Sequence, residues 1–224
     1  AVARQPEADG PEILEALRPV SRETRARLER YVELLRDWQT RMNLVGPSTL
    51  ATVWRRHVLD SMAPHDILPD VKVWADLGSG AGFPGLVTAI LLAEVPGAHV
   101  HLVESTGRKA GFLREVARET GAPATVHATR IEEEAARLAG TVEAISARAL
   151  APLDKLLDLA APLFAAGAVG VFHKGRDLDR EVEAARGRWS FDLVEHPSRS
   201  DPSGRIAVIS RVAPRGRRTG RARR

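Results

Sequence analysis

Residues 74–85 read WADLGSGAGFPG. An apolar run closes on Asp76 and Leu77, and four glycines, Gly78, Gly80, Gly82 and Gly85, follow within eight residues. Glycine costs chain entropy, so a cluster this dense marks backbone that must turn tightly or stand close to a ligand. The stretch VKVWADL (71–77) reads as a buried strand, and Pro84 to Val95 as a helix with Pro84 near its first turn. A loop that leaves a strand and enters a helix turns free N–H groups toward a ligand.

The rhythm set here continues to the C-terminus. HVHLVE, ATVHA, VEAISARA and AVGVFHK read as strands. Helices are expected over 107–120, 131–139, 152–165 and 176–187, and the final strands WSFDLVEH and RIAVISRV have only a turn-rich PSRSDPSG between them. Alternation of this kind implies parallel strands joined by right-handed crossovers. The expected fold class is α/β: a Rossmann-like, seven-stranded, mostly parallel sheet with helices on both faces, its last pair an antiparallel hairpin.

Upstream the signal is helical. Leu28, Tyr31, Val32, Leu35, Trp38 and Met42 recur at three- and four-residue steps behind Ser21, a suitable N-cap. Pro47 marks a break, and Ser48 or Thr49 is expected to cap a second helix reaching about Ser61. We therefore divide the chain into an N-terminal helical cap (1–70), a nucleotide-binding domain (71–212) and an arginine-rich tail (213–224). The tail carries six arginines and no acid, and without it the net charge of +4 becomes −2. Its composition cannot bury enough apolar surface to fold alone, and its arginines, among them Arg215, Arg217 and Arg218, suit phosphate contacts with RNA.

Composition excludes some chemistry. The 224 residues contain no cysteine, so disulfides, thiolate metal sites and cysteine nucleophiles are ruled out. No apolar run nears the roughly 18 residues of a membrane helix. A cytoplasmic protein, acting as a monomer without a metal or a membrane, is the expectation.

Two ligands compete for the glycine loop. A dinucleotide would set its pyrophosphate on the helix start and its ribose on an acid about 20 residues later. S-adenosylmethionine would use the same kind of acid for its ribose, and Glu104, at the end of HLVE, serves either. Three features favour S-adenosylmethionine. Asp76 offers a carboxylate to a cationic amine, which a dinucleotide lacks. The spacing Gly78, Gly80, Gly82 is GxGxG rather than GxGxxG. No separate substrate domain follows. In TRIEEEA (129–135), Ile131 supplies an apolar face for an adenine and Glu132 a contact at its edge.

The motifs DLGSGAGFPG, RMNLVG, RHVLDS, LVES with RKAGFL, SARAL and HKG together resemble the bacterial 16S ribosomal RNA guanine-N7 methyltransferases, also called glucose-inhibited division protein B. The likeness spans about residues 30–212. It implies a class I methyltransferase fold with a helical cap, and methyl transfer from S-adenosylmethionine to N7 of nucleotide 527 of 16S RNA in the small ribosomal subunit. By position it carries cofactor contacts to Gly78, Phe83, Ile131 and Glu132. It makes Arg148, near the cofactor and reaction centre, and Lys174, at a recurrent basic position, the expected catalytic residues, holding a phosphate or the guanine O6 edge or ordering neighbouring side chains. Asn43, His57 and Asp60 fall in the cap motifs and are candidate contacts to the RNA substrate. Three other readings stay open at this level: a methyltransferase for another substrate, an NAD-dependent oxidoreductase, and a nucleic-acid binder acting through its tail alone.

Overall fold

A computed structural model describes residues 9–215. Helices α1 (Glu12–Leu17), α2 (Arg22–Gln39) and α3 (Pro47–Leu50) come first. A π-helical turn over Trp54–Leu59 then passes into a 3-10 turn over Asp60–Met62 and into α4 (Ala63–Ile67). The alternating region follows as β1 (Val73–Leu77), α5 (Gly85–Leu91), β2 (His99–Val103), α6 (Gly107–Thr120), β3 (Ala124–His127), α7 (Ile131–Leu138) and β4 (Ala144–Arg148). It ends as α8 (Leu153–Leu159), α9 (Ala161–Ala165), β5 (Val169–Lys174), α10 (Leu178–Arg186), β6 (Trp189–Pro197) and β7 (Arg205–Pro214).

The seven strands form one sheet in the order β3-β2-β1-β4-β5-β7-β6. The first five pair in parallel, and β7 runs antiparallel between β5 and β6. This is the Rossmann-like arrangement that the alternation implies. Because strand side chains point to opposite faces in turn, the sheet builds two apolar cores. Trp74, Val100 and Leu102 pack with α2, α5, α6 and the turn at Trp54, while Ala75, Leu77, Ile145 and Phe172 pack with α7 to α10. The helices of residues 9–70 thus share a core with the sheet.

Helix α2 forms as its periodicity predicts. Ser21 Oγ accepts from the Thr24 amide at 3.1 Å, and Leu28, Tyr31, Val32 and Leu35 are buried. Three boundaries differ from the sequence reading. The helix expected over 48–61 is broken after Leu50 into the π and 3-10 turns. The Asp9 carboxylate accepts from the amides of Trp54 and Arg55 at 2.8 and 2.9 Å, which holds the new start. The helix expected over 152–165 divides at Ala160, because Pro162 has no N–H to continue the ladder and sits in the first turn of α9 instead. The helix expected to reach Val95 stops at Leu91.

Candidate functional site

The carboxyl ends of β1, β2, β4 and β5 open into a cavity of about 700 Å³, a size that suits a small-molecule site. One half lies over β1 and β2. Its wall is the backbone of Gly78 to Ala81, with Glu104, Ser105, Lys109 and Ile131. The other half lies over β4, β5 and β7. It is walled by Arg148, His173, Lys174 and Arg205, by Arg56, His57 and Asp60 of the broken helix, and by the β6–β7 loop.

In the first half the loop is held from several sides. The Ser79 amide donates to the Val103 carbonyl at 3.0 Å, and the Gly82 amide to the Ser79 carbonyl at 2.7 Å. Gly78 has φ +66°, and a Cβ there would stand 2.6 Å from Leu150 Cδ1. A side chain there is therefore strained by backbone conformation whatever the space, and Leu150 would have to shift to admit it. Glu104 is buried and lies on the wall. Its carboxylate accepts from the Gly80 amide at 2.9 Å and the Thr106 amide at 2.7 Å, which leaves lone pairs for a ligand hydroxyl.

Asp76, read above as facing a cationic amine, does not reach the cavity. It is 1 % exposed and lies beneath the loop. Oδ1 accepts from the Ser146 hydroxyl at 2.6 Å, and a Cβ on Gly85 would meet Oδ2 at 2.5 Å. Burial raises its pKa to about 6, against the Ser146 and Ser79 hydroxyls and the charge of Arg148. In this structure Asp76 supports the floor. Gly82 is also turned inward, since a Cβ there would meet Leu86 and the Tyr31 hydroxyl. Gly78, Gly80, Phe83 and Ile131 line the cavity; Glu132 is exposed and is not on its wall, because it occupies the outward side of the first turn of α7.

In the second half side chains do the building. Phe83 is stacked on His57 with centroids 5.0 Å apart, and the Arg148 guanidinium lies 5.1 Å from the Phe83 centroid. Arg148 donates to His57 Nδ1 at 2.9 Å. A guanidinium only donates, so Nδ1 must be unprotonated and the proton sits on Nε2, 2.9 Å from Thr49 Oγ1. Burial, then the charges of Arg148 and Arg56, lower the His57 pKa to about 4. Neutral and engaged at both nitrogens, His57 positions Arg148. Burial lowers the Arg148 pKa, while Asp60, Tyr31 and Asp76 oppose that shift.

Lys174 lies on the wall, but its ammonium is engaged. It donates to the Ala151 carbonyl at 2.7 Å and to Glu181 at 2.6 Å, and Glu181 also accepts from the Leu153 amide at 2.8 Å. The pair ties β5 to α10 and to the start of α8. Asn43 is exposed and off the wall. Arg215 is exposed, with its amide on the Arg188 carbonyl at 2.8 Å; Arg217 and Arg218 lie outside the described residues.

Several contributors escape the sequence reading. Tyr31, in the middle of α2 and fully buried, donates its hydroxyl to the Ala81 carbonyl of the glycine loop. Gln39 clamps residues 44 and 45 by accepting from both amides and donating to the Val45 carbonyl. Ser198 donates to Asp60 at 2.6 Å and Arg56 to Asp201 at 3.0 Å, which docks the β6–β7 loop on the helical wall. Tyr31 is indistinguishable in sequence from the apolar stripe it belongs to. The β6–β7 loop shows only turn residues.

The family described as rRNA small subunit methyltransferase G matches residues 24–202 of the chain. The chain is 46 % identical to a protein of that name from Bradyrhizobium sp. (strain ORS 278), over 96 % of this chain and 97 % of the relative. It is 52 % identical to one from Parvibaculum lavamentivorans, over 93 % and 92 %. Among solved structures, the O-methyltransferase of Bacillus cereus in complex with SAH superimposes with a TM-score of 0.56 at 12 % identity, over 89 % of this chain and 96 % of that one. An O-methyltransferase of Streptomyces achromogenes in complex with SAM gives 0.57 at 13 %, over 89 % and 94 %. At such identities these two structures share the fold.

Proposed function

The chain belongs to the rRNA small subunit methyltransferase G family, and from that premise we propose that it methylates N7 of one guanine, nucleotide 527 of 16S ribosomal RNA, with S-adenosylmethionine as donor. The observation that carries the reading is the two-part cavity. One part is backbone and a strand-end carboxylate, and the other is a half-buried cation set in an aromatic and polar frame. The residues of the first part fit the cofactor. Gly78 and Gly80 bring bare backbone to the wall, Glu104 has free lone pairs suited to ribose hydroxyls, and Ile131 gives an adenine an apolar face. When bound, the cofactor supplies a methyl group on a positively charged sulfur.

The chain's own task is then alignment and exclusion of water. Guanine N7 carries an in-plane lone pair and no proton, so attack needs no general base. The geometry around His57 agrees, because both its nitrogens are occupied and its pKa lies well below neutrality. A cation set directly at N7 would oppose the charge that arrives there. Arg148 therefore serves as a fork to O6 or to a phosphate, with His57 and Phe83 fixing its plane.

The test is methyl transfer from labelled S-adenosylmethionine to 30S subunits and to naked 16S RNA, both from cells lacking their own enzyme, followed by cleavage at 7-methylguanine. Label at nucleotide 527 is the expected result. Label at another nucleotide, or on neither RNA, discards the target. Failure to bind S-adenosylmethionine discards the reading as a whole.

A further inference from the structure

The second half of the cavity contains a carboxylate oxygen with no hydrogen-bond donor among the described residues. Asp60 is 7 % exposed and lines the cavity. Its Oδ1 accepts from the Ser198 hydroxyl at 2.6 Å, and its main-chain carbonyl accepts from His173 Nε2 at 2.9 Å. No hydrogen bond from the described residues reaches Oδ2. His173 Nε2 stands 3.7 Å from it, with its proton directed at the carbonyl. The side chain is nine-tenths buried, and its second oxygen, on the cavity wall without a donor among the described residues, is placed to accept from an N–H or O–H group that enters with the substrate.

Resting on the guanine-N7 reading above, we propose that Asp60 Oδ2 recognises the target base as guanine by accepting from its N1–H and 2-amino edge. The chemistry selects one purine. Guanine offers donors at N1 and N2, whereas adenine offers a lone pair at N1 and only a hydrogen at C2, so a carboxylate facing that edge attracts the first and repels the second. The position agrees. N1 and N2 lie on the opposite side of a purine from N7. Asp60 stands with His173 of β5 and Ser198 of the β6–β7 loop, on the far side of β4 from the glycine loop. A base held there by its N1 and N2 edge presents N7 toward β1 and the cofactor half. Asp60 also faces the Arg148 charge, so recognition and charge balance meet in one side chain and must be separated by experiment.

The experiment uses 30S subunits reconstituted with guanine or inosine at nucleotide 527, inosine lacking only the 2-amino group. The unaltered enzyme is expected to lose about tenfold or more in kcat/KM on inosine, as for a lost direct contact to a base edge. Asp60→Ala, which removes the acceptor, is expected to be slow on guanine and to show no further loss on inosine, with S-adenosylmethionine affinity unchanged. Ser198→Ala, which removes only the partner of Oδ1, keeps the discrimination. Equal rates of the unaltered enzyme on the two substrates overturn the inference, and that comparison needs no variant. A discrimination that survives Asp60→Ala, or disappears equally in Ser198→Ala, also overturns it. No label on the guanine substrate with the unaltered enzyme would instead defeat the guanine-N7 reading itself.

Discussion

The two halves of the cavity are built on opposite plans. Over β1 and β2 the site is local: Gly78 to Ala81 follow their strand directly, and Glu104 and Ile131 come at or just beyond the ends of the next two strands. Over β4, β5 and β7 the site is a meeting of distant segments. His57 bonds to Arg148 across 91 positions of sequence, and Asp60 to Ser198 across 138. A site made of backbone tolerates little change at its glycines and asks little of its neighbours. A site made of side chains depends on every segment that converges on it.

The comparison predicts that the halves can be lost separately. The largest effect is expected from Gly78→Val. The substitution places a β-branched side chain at φ +66° with Leu150 Cδ1 in its path, a conformation such residues avoid. S-adenosylmethionine binding by calorimetry should fall below detection, and methylation with it. Arg148→Ala should leave cofactor affinity within about threefold while lowering kcat on 30S subunits by about a hundredfold, the scale of a lost preorganised donor. If Arg148→Ala abolished cofactor binding as well, the division into halves would be wrong.

A pH series separates the halves by sign. The His57 pKa falls from 6.5 to about 4 on folding, so between those values the unfolded chain holds the proton and the folded chain does not. His57 thus favours folding above pH 6.5, and that contribution is lost as pH falls toward 4. Asp76 does the reverse. Burial raises it from 3.8 to about 6, so its contribution is greatest below 3.8 and is lost as pH rises through 6. Thermal melts between pH 4 and 6.5 should show a flatter rise of Tm with pH in His57→Gln than in the unaltered chain, and a steeper rise in Asp76→Asn. Parallel curves for all three would remove both assignments.

The same contrast decides what could be read from sequence. The glycine run, Glu104 at its strand end and the strand–helix alternation are short-range patterns, and each reappears in the structure where its spacing puts it. Asp76 misleads because a strand residue two places before a loop has a fixed side but no visible depth. It lies level with Leu102 and Ser146 inside the sheet, and only the structure shows Gly85 closing over it. Lys174 is a basic residue at a strand end in sequence and a buried partner of Glu181 in space. The break of the helix after Leu50 depends on Asp9, more than forty positions away, and no local pattern announces it.

Tyr31 is where the two plans join, and it gives the smallest predicted effect. It lies on α2 among apolar neighbours, 5.1 Å from Phe83 between ring centroids, yet its hydroxyl holds the Ala81 carbonyl of the glycine loop. Burial raises its pKa well above 10, so it remains a donor at any working pH. Tyr31→Phe keeps the ring and its packing and removes one hydrogen bond, leaving a loop carbonyl without its partner at a cost of about 1 kcal/mol. If the helical segment serves only as apolar cover, that cost appears in Tm alone. If Tyr31 also fixes the loop, the KM for S-adenosylmethionine rises about fivefold, the equivalent of that energy, while kcat and the KM for 30S subunits stay level. Initial rates at varied cofactor and fixed 30S concentration distinguish the two. A change confined to the RNA side would mean that the hydroxyl acts through Phe83 and His57, and the glycine loop would then keep its shape without help from the helical segment.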